Sequence, residues 1–276
     1  MAERNHPASL LIVAAAMCAA LYAIGCYVTA YIPSPWGFGQ FRPAVVIPAF
    51  FAAIFGPFPA ALGAAIGTLI ADSTKHGCLY MGSLIAAVPG NFVGFYIFGY
   101  ILKKKFSWTR FISASLITLT VANLIVAFLY VLVFKVLYLQ ALALSTNALI
   151  YLSIGLTIWW FVTMLPFVLL ITPPLIRIVA AAFPSLVSND LRAHALKMEL
   201  PKLSFSLAMV APGVIMLLVG MATTFTQLRE YTMRSFGEPT ASMIELMYYV
   251  SGAFLFSIGI IVLATQKLLT HKRSKA

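Results

Sequence analysis

Long apolar stretches separated by short polar ones set the pattern of this chain. A helix crossing the hydrocarbon layer of a bilayer needs about 20 mostly apolar residues. Stretches that approach or meet this length occur at 8–32, 42–57, 59–72, 82–102, 111–134, 148–176, 203–225 and 241–263. Pro33 closes the first, and the Gly56-Pro57 pair separates the second from the third. The third is short enough to cross only part of a membrane. The sixth is long and holds Pro166 and Pro173-Pro174, so a tilt or break is expected there. The fold class that follows is an all-α membrane protein, a polytopic bundle of eight helices.

The longest polar segment, 184–202, lies between the sixth and seventh runs. In it Leu191, Ala195 and Met198 recur at helical spacing among Asp190, Arg192, Lys197 and Glu199, as in a short amphipathic helix lying on a membrane face. It divides the chain into a six-helix core (1–183), a connector (184–202) and a two-helix C-terminal extension (203–276).

Composition agrees with lipid as the main solvent: 62% of residues are hydrophobic and 9% charged, against about 25% charged in soluble domains. The net charge of +11 does not point to nucleic acid, because the basic residues fall between apolar runs and not along a soluble stripe. They sort by side. Arg4, Lys103, Lys104, Lys105, Arg110, Arg177, Arg192, Lys197, Lys202, Lys267, Lys272, Arg273 and Lys275 fall together if the helix count is even. Only Arg42, Lys75, Lys135, Arg229 and Arg234 fall opposite. The positive-inside rule then predicts a multi-pass cell-membrane protein with both termini cytoplasmic. The first run is too long for the apolar region of a cleavable signal and is expected to persist as a helix.

Candidate chemistry is sparse. Cys18, Cys26 and Cys78 make no CxxC pair or metal-ligand spacing, and no GxxxxGK[ST], HExxH or nucleophile motif occurs. No enzyme activity, cofactor or metal is expected. Arg42 and Asp72 are the ionisable residues nearest the apolar runs, and such groups are functional candidates by default. Arg42 could snorkel to headgroups or hold a carboxylate or phosphate of a solute. Asp72 could pair with Lys75 one turn on or serve a site. The uncharged, Pro-, Gly- and aromatic-rich loop 33–41 is expected to pack back on the bundle. Trp36, Phe38, Phe41 and Tyr80 could form an interface belt or stack on a flat ligand. Asn91 and Asn123 suit interhelical hydrogen bonds.

Small residues are the other signal. Ala15, Ala19 and Ala23 recur every fourth residue, with Ala16 and Ala20 alongside, and make a ridge that another helix can approach closely. That helix could belong to this chain or to a partner. Gly63/Gly67 and Gly90/Gly94 repeat the device in the third and fourth runs.

Taken together, the run from Phe41-Arg42-Pro43 to Pro48, Phe55-Gly56-Pro57, the glycine-rich stretch ending at Asp72, and Pro89-Gly90-Asn91-Phe92-Val93-Gly94 resemble the substrate-binding S components of energy-coupling factor (ECF) transporters. The resemblance covers about residues 8–184 and not the two-helix extension. It implies a membrane subunit that binds a vitamin or related micronutrient near the outer face, under loop 33–41. Trp36, Phe38, Phe41, Arg42, Asp72, Tyr80 and Asn91 would then line the site. It further implies an ECF T component and two cytoplasmic ATPases as partners, with Ala15, Ala19 and Ala23 as the docking surface. The subunit would topple in the membrane to expose the solute inward. Two other functions stand beside this one. An autonomous ion-coupled transporter should carry an intramembrane carboxylate pair or inverted repeat, and neither is evident. A non-transporting assembly protein would use the extension as its partner surface.

Overall fold

A computed structural model describes residues 6–197 and 201–273. Met198, Glu199, Arg4 and Lys275, used in the readings above, lie outside these residues. The described chain is helical throughout: α1 (Ala8–Val28), a 3-10 turn (Pro43–Val45) leading into α2 (Val46–Phe55), α3 (Pro57–His76), α4 (Val88–Lys103), α5 (Trp108–Phe128), α6 (Thr146–Ala182), α7 (Asn189–Lys197), α8 (Lys202–Phe225), α9 (Gln227–Phe236) and α10 (Glu238–Arg273). Two π-helical segments extend this set, Ser83–Ala87 before α4 and Leu129–Tyr138 after α5. Among the described residues, six helices are long and apolar enough to span a bilayer: Ala8–Val28, Ser83–Lys103, Trp108–Tyr138, Thr146–Ala182, Leu203–Phe225 and Glu238–Thr265.

All eight expected runs are helical, but neither the second nor the third is among the six long, apolar helices. The 3-10 turn and α2 together, Pro43–Phe55, are too short to cross alone. α3 instead continues one turn past Asp72 to His76 and stops at Gly77, whose φ of 69° is left-handed. Sequence reading ended α3 early because Asp72, Ser73 and Thr74 interrupt the apolar pattern. Asp72 pairs with Arg42, Ser73 accepts the Tyr80 N–H and Thr74 donates back to the Ile70 carbonyl, so the helix runs on. Of the tilt or break expected in the sixth run, the break is absent: the 37 residues of α6 are continuous through Pro166, Pro173 and Pro174. A buried membrane helix tolerates proline because neighbours re-satisfy the freed backbone groups.

The chain forms two compact units, 1–34 with 39–199, and 35–38 with 200–276. In the first, glycines set the helix spacing. A Cβ on Gly63 would lie 2.4 Å from that of Cys18, and one on Gly67 would lie 2.6 Å from the Ala19 carbonyl oxygen, so α3 packs directly on the α1 backbone. Gly90 and Gly94 do the same for α4 against Val126 and Ala122 of α5. Gly56, at φ 87°, makes the reversal between α2 and α3, and Pro57 starts α3 where its missing N–H costs nothing. α7 is the amphipathic helix expected in 184–202. Leu191 and Ala195 are buried, the Phe106 N–H donates to the Asp190 carboxylate (2.7 Å), and the Trp108 indole donates to the His194 carbonyl (3.1 Å).

In the second unit α8 and α10 pair through Gly213, which meets the backbone of Phe256, and Gly252, which meets Leu217. Ser206 donates to the Gly259 carbonyl at 2.7 Å, and Tyr249 to Thr224 at 3.1 Å. α9 joins them, and its Arg229 lies 3.7 Å from Glu245 of α10.

Candidate binding site

The candidate site grows from one face of α3. Thr68, Asp72 and His76 follow one another at helical spacing of four and share that face. Asp72 is 4% exposed and Thr68 fully buried. Across from them the chain leaving loop 33–41 delivers Gln40 and Arg42, both buried. One guanidinium nitrogen of Arg42 donates to the Thr68 hydroxyl and the other to the Asp72 carboxylate, which also accepts from the Gln40 amide. Asp72 therefore pairs with Arg42, 30 residues away, and not with Lys75 as its spacing suggested. Lys75 points elsewhere: its ammonium donates to the Ala30 carbonyl (2.5 Å) and the Gln40 amide oxygen (3.2 Å), and lies over the Tyr31 ring.

The loop is pinned at its base. Phe41 N–H donates to the Ile32 carbonyl at 2.9 Å, Ser34 N–H to Gly39 at 3.0 Å, and the Trp160 indole of α6 to the Gln40 carbonyl at 3.0 Å. Phe41 meets Phe167 edge-on at 5.6 Å. Packing of the loop back on the bundle, expected from its composition, holds at this base.

Beside the charged cluster stands an aromatic one. His76 donates from Nδ1 to the Asp72 carbonyl (2.7 Å) and stacks on Tyr80, with centroids 3.8 Å apart and planes 4° from parallel. The Tyr80 and Tyr130 hydroxyls are 3.2 Å apart, and Phe134 packs edge-on against Tyr80. Burial raises the Tyr80 phenol above its usual range, so it stays a neutral hydrogen-bonding group. Tyr130 and Phe134 belong to the π-helical segment after α5, and such segments often mark functional sites. The Ser83 hydroxyl, in the other π-helical segment, is buried with no hydrogen-bond partner among the described residues.

The structure thus brings Arg42, Asp72 and Tyr80 together and leaves other candidates apart. Phe41 turns to α6. Asn91 is half-buried on the first turn of α4, outside the network. Trp36 and Phe38 fall in the segment 35–38 that groups with the second unit. Asn123 does make interhelical contacts, to Met164 sulfur (3.7 Å) and from the Thr157 hydroxyl (3.5 Å). Gln40, Thr68, His76, Tyr130, Phe134 and Trp160 join the site without having been singled out, and Lys75, weighed only as a partner for Asp72, joins through Gln40. The four-residue spacing of Thr68, Asp72 and His76 was the signal available for two of them.

The alanine ridge of α1 turns inward. Ala19 and Ala23 are 4% and 7% exposed, Ala19 against Gly67 of α3, and Ala15 is half-buried. Packing within the chain is the use the structure makes of it. Ala16 and Ala20 remain on the exposed face of α1, flanked by Val13, Met17 and Ile24.

A family model described as "ECF-type riboflavin transporter, S component" matches residues 8–181, which is α1 to the last turn of α6. No curated protein matches the chain, and no solved structure does.

Proposed function

The chain belongs to the family of S components of ECF-type riboflavin transporters; as a substrate-binding transport subunit and not an enzyme, we propose, it captures an uncharged flat vitamin of the riboflavin class for ATP-driven import. The observation that carries the substrate class is the pairing of an internally satisfied polar cluster with an aromatic one. Both terminal Arg42 nitrogens are engaged by Thr68 and Asp72, and Lys75 is engaged by Ala30 and Gln40. A site built to read a carboxylate or phosphate would leave a cation for it. Here Arg42 is spent on Asp72, Lys75 on two amide carbonyls and Lys135 on the Tyr130 and Phe134 rings, while Tyr80, Tyr130 and Phe134 offer aromatic contacts and Ser83 a spare hydroxyl. A tricyclic ring bearing a polyol chain fits that combination.

The energy for import would come from an ECF T component and two ATPases, since the chain carries no nucleotide-binding motif of its own. The T component would dock on the exposed Ala16–Ala20 stripe of α1, where small side chains permit close helix approach. Both termini would lie in the cytoplasm.

Flavin fluorescence quenching on the purified full chain tests the substrate. Riboflavin should bind saturably, and Tyr80→Ala should weaken it about tenfold. Flavin mononucleotide should gain nothing from its phosphate. A folded chain that neither quenches flavin nor is stabilised by it would rule the proposal out.

A further inference from the structure

At the far end of α3 from Asp72, a distance of about 20 Å along the helix, a cavity of about 410 Å³ opens in the same unit. It is formed by the α2–α3 reversal, the start of α1, the end of α4 and α7. Its lining has two characters. Leu11, Phe55 and Phe58 give an apolar wall, and Phe58 is 57% exposed. Lys103, Lys104 and Lys105 give a basic one, with His6 beside Phe55 at 5.6 Å between rings. Asp190 also lines it, but its carboxylate accepts the Phe106 N–H and faces His194 at 3.5 Å. Lys104 and Lys105 are exposed.

We propose that this cleft is a binding site for an anionic phospholipid, with the headgroup phosphate on Lys104 and Lys105 and an acyl chain along Leu11, Phe55 and Phe58. Charge complementarity selects the headgroup, since consecutive lysines at a membrane face attract anionic lipid. The apolar wall beside them selects a lipid over a free phosphate, which would gain nothing from three large hydrophobic side chains. The site is remote from the Arg42–Asp72 cluster and does not depend on which solute that cluster takes.

Native mass spectrometry of the full chain released from nanodiscs gives the test. Discs of mixed phosphatidylglycerol and phosphatidylcholine should yield protein retaining phosphatidylglycerol preferentially. Lys104→Glu/Lys105→Glu should cut that retention by at least about tenfold. Arg177→Glu/Arg192→Glu changes the same charge at exposed positions outside the cleft and should leave retention near the parent value. Phe58→Ser, with the lysines intact, should also reduce it. Equal losses in the two charge-reversal variants would overturn the proposal, because net charge alone would then explain retention. Release of the lipid by millimolar inorganic phosphate, with Phe58→Ser unchanged from the parent, would overturn the lipid assignment in favour of a free anion.

Discussion

Arg42 and Asp72 are buried together in a setting where either charge alone would be expensive. Removing one partner leaves the other desolvated without compensation, which costs about 3–5 kcal/mol, whereas replacing both by apolar residues of similar size is often neutral. Asp72→Leu should therefore lower the unfolding temperature of the purified protein sharply. Arg42→Met/Asp72→Leu should recover most of that loss. If the double variant were as unstable as the single one, the pair would not be an isolated unit and Gln40 or Thr68 would be the dependent partner. Ligand binding separates from stability in the same experiment. A restored but non-binding double variant would assign the pair to the site and not only to the fold. Such a residue-scale pairing was half legible beforehand. Arg42 and Asp72 stood out as charges beside apolar runs, but the sequence offered Asp72 a nearer partner in Lys75. Proximity along a helix lost to the loop, because Lys75 reaches the Ala30 carbonyl and Arg42 supplies a two-nitrogen fork that a lysine cannot.

The α1–α3 pair shows what small residues do at the scale of elements. Ala19 and Gly67 bring two backbones into contact, and a side chain on Gly67 would meet the Ala19 carbonyl oxygen, which cannot step aside. Gly67→Val should destabilise the fold by about 1–3 kcal/mol by overpacking, read as a fall in unfolding temperature. Ala19→Trp and Ala20→Trp should diverge although adjacent. The first wedges α1 from α3 and lowers stability. The second projects from the exposed face and leaves riboflavin binding and unfolding temperature intact, while co-purification with T component and ATPases is lost. Intact assembly in Ala20→Trp would remove that stripe from the docking surface. Periodicity alone found the ridge but not its direction, since Ala15, Ala16, Ala19, Ala20 and Ala23 cover neighbouring faces of one helix. Hydropathy likewise located the apolar helices but not the polar α9, and it misjudged the lengths of α2 and α3, which depend on the Gly56 reversal and on partners for Asp72. The aromatic half of the site was the least legible: Tyr130 and Phe134 reach Tyr80 from a π-helical segment some 50 residues on, and no local pattern in the sequence distinguishes that turn from ordinary α-helix.

For the whole molecule, the division into two units carries a functional consequence. The family match ends at residue 181, before α7, and every residue of the charged and aromatic clusters belongs to the first unit. The second unit has its own internal packing, in the Gly213–Phe256 and Ser206–Gly259 contacts of α8 and α10. A chain ending at 199 should accordingly fold and bind riboflavin with the affinity of the full protein, because no group proposed to touch the solute is removed. The segment 35–38 is the exception that makes the experiment informative, since Trp36 and Phe38 are candidate site residues by sequence yet group with the second unit. If those side chains contribute to binding, Trp36→Ala in the full chain should weaken riboflavin, and truncation should weaken it by a similar amount by freeing the same loop. Unchanged affinity in both would confine the site to the α3 cluster and its aromatic neighbours. Loss on truncation with no effect of Trp36→Ala, in a chain shown to be folded by its unfolding transition, would mean that α8 to α10 support the site by another route and that the six-helix core is not the functional minimum.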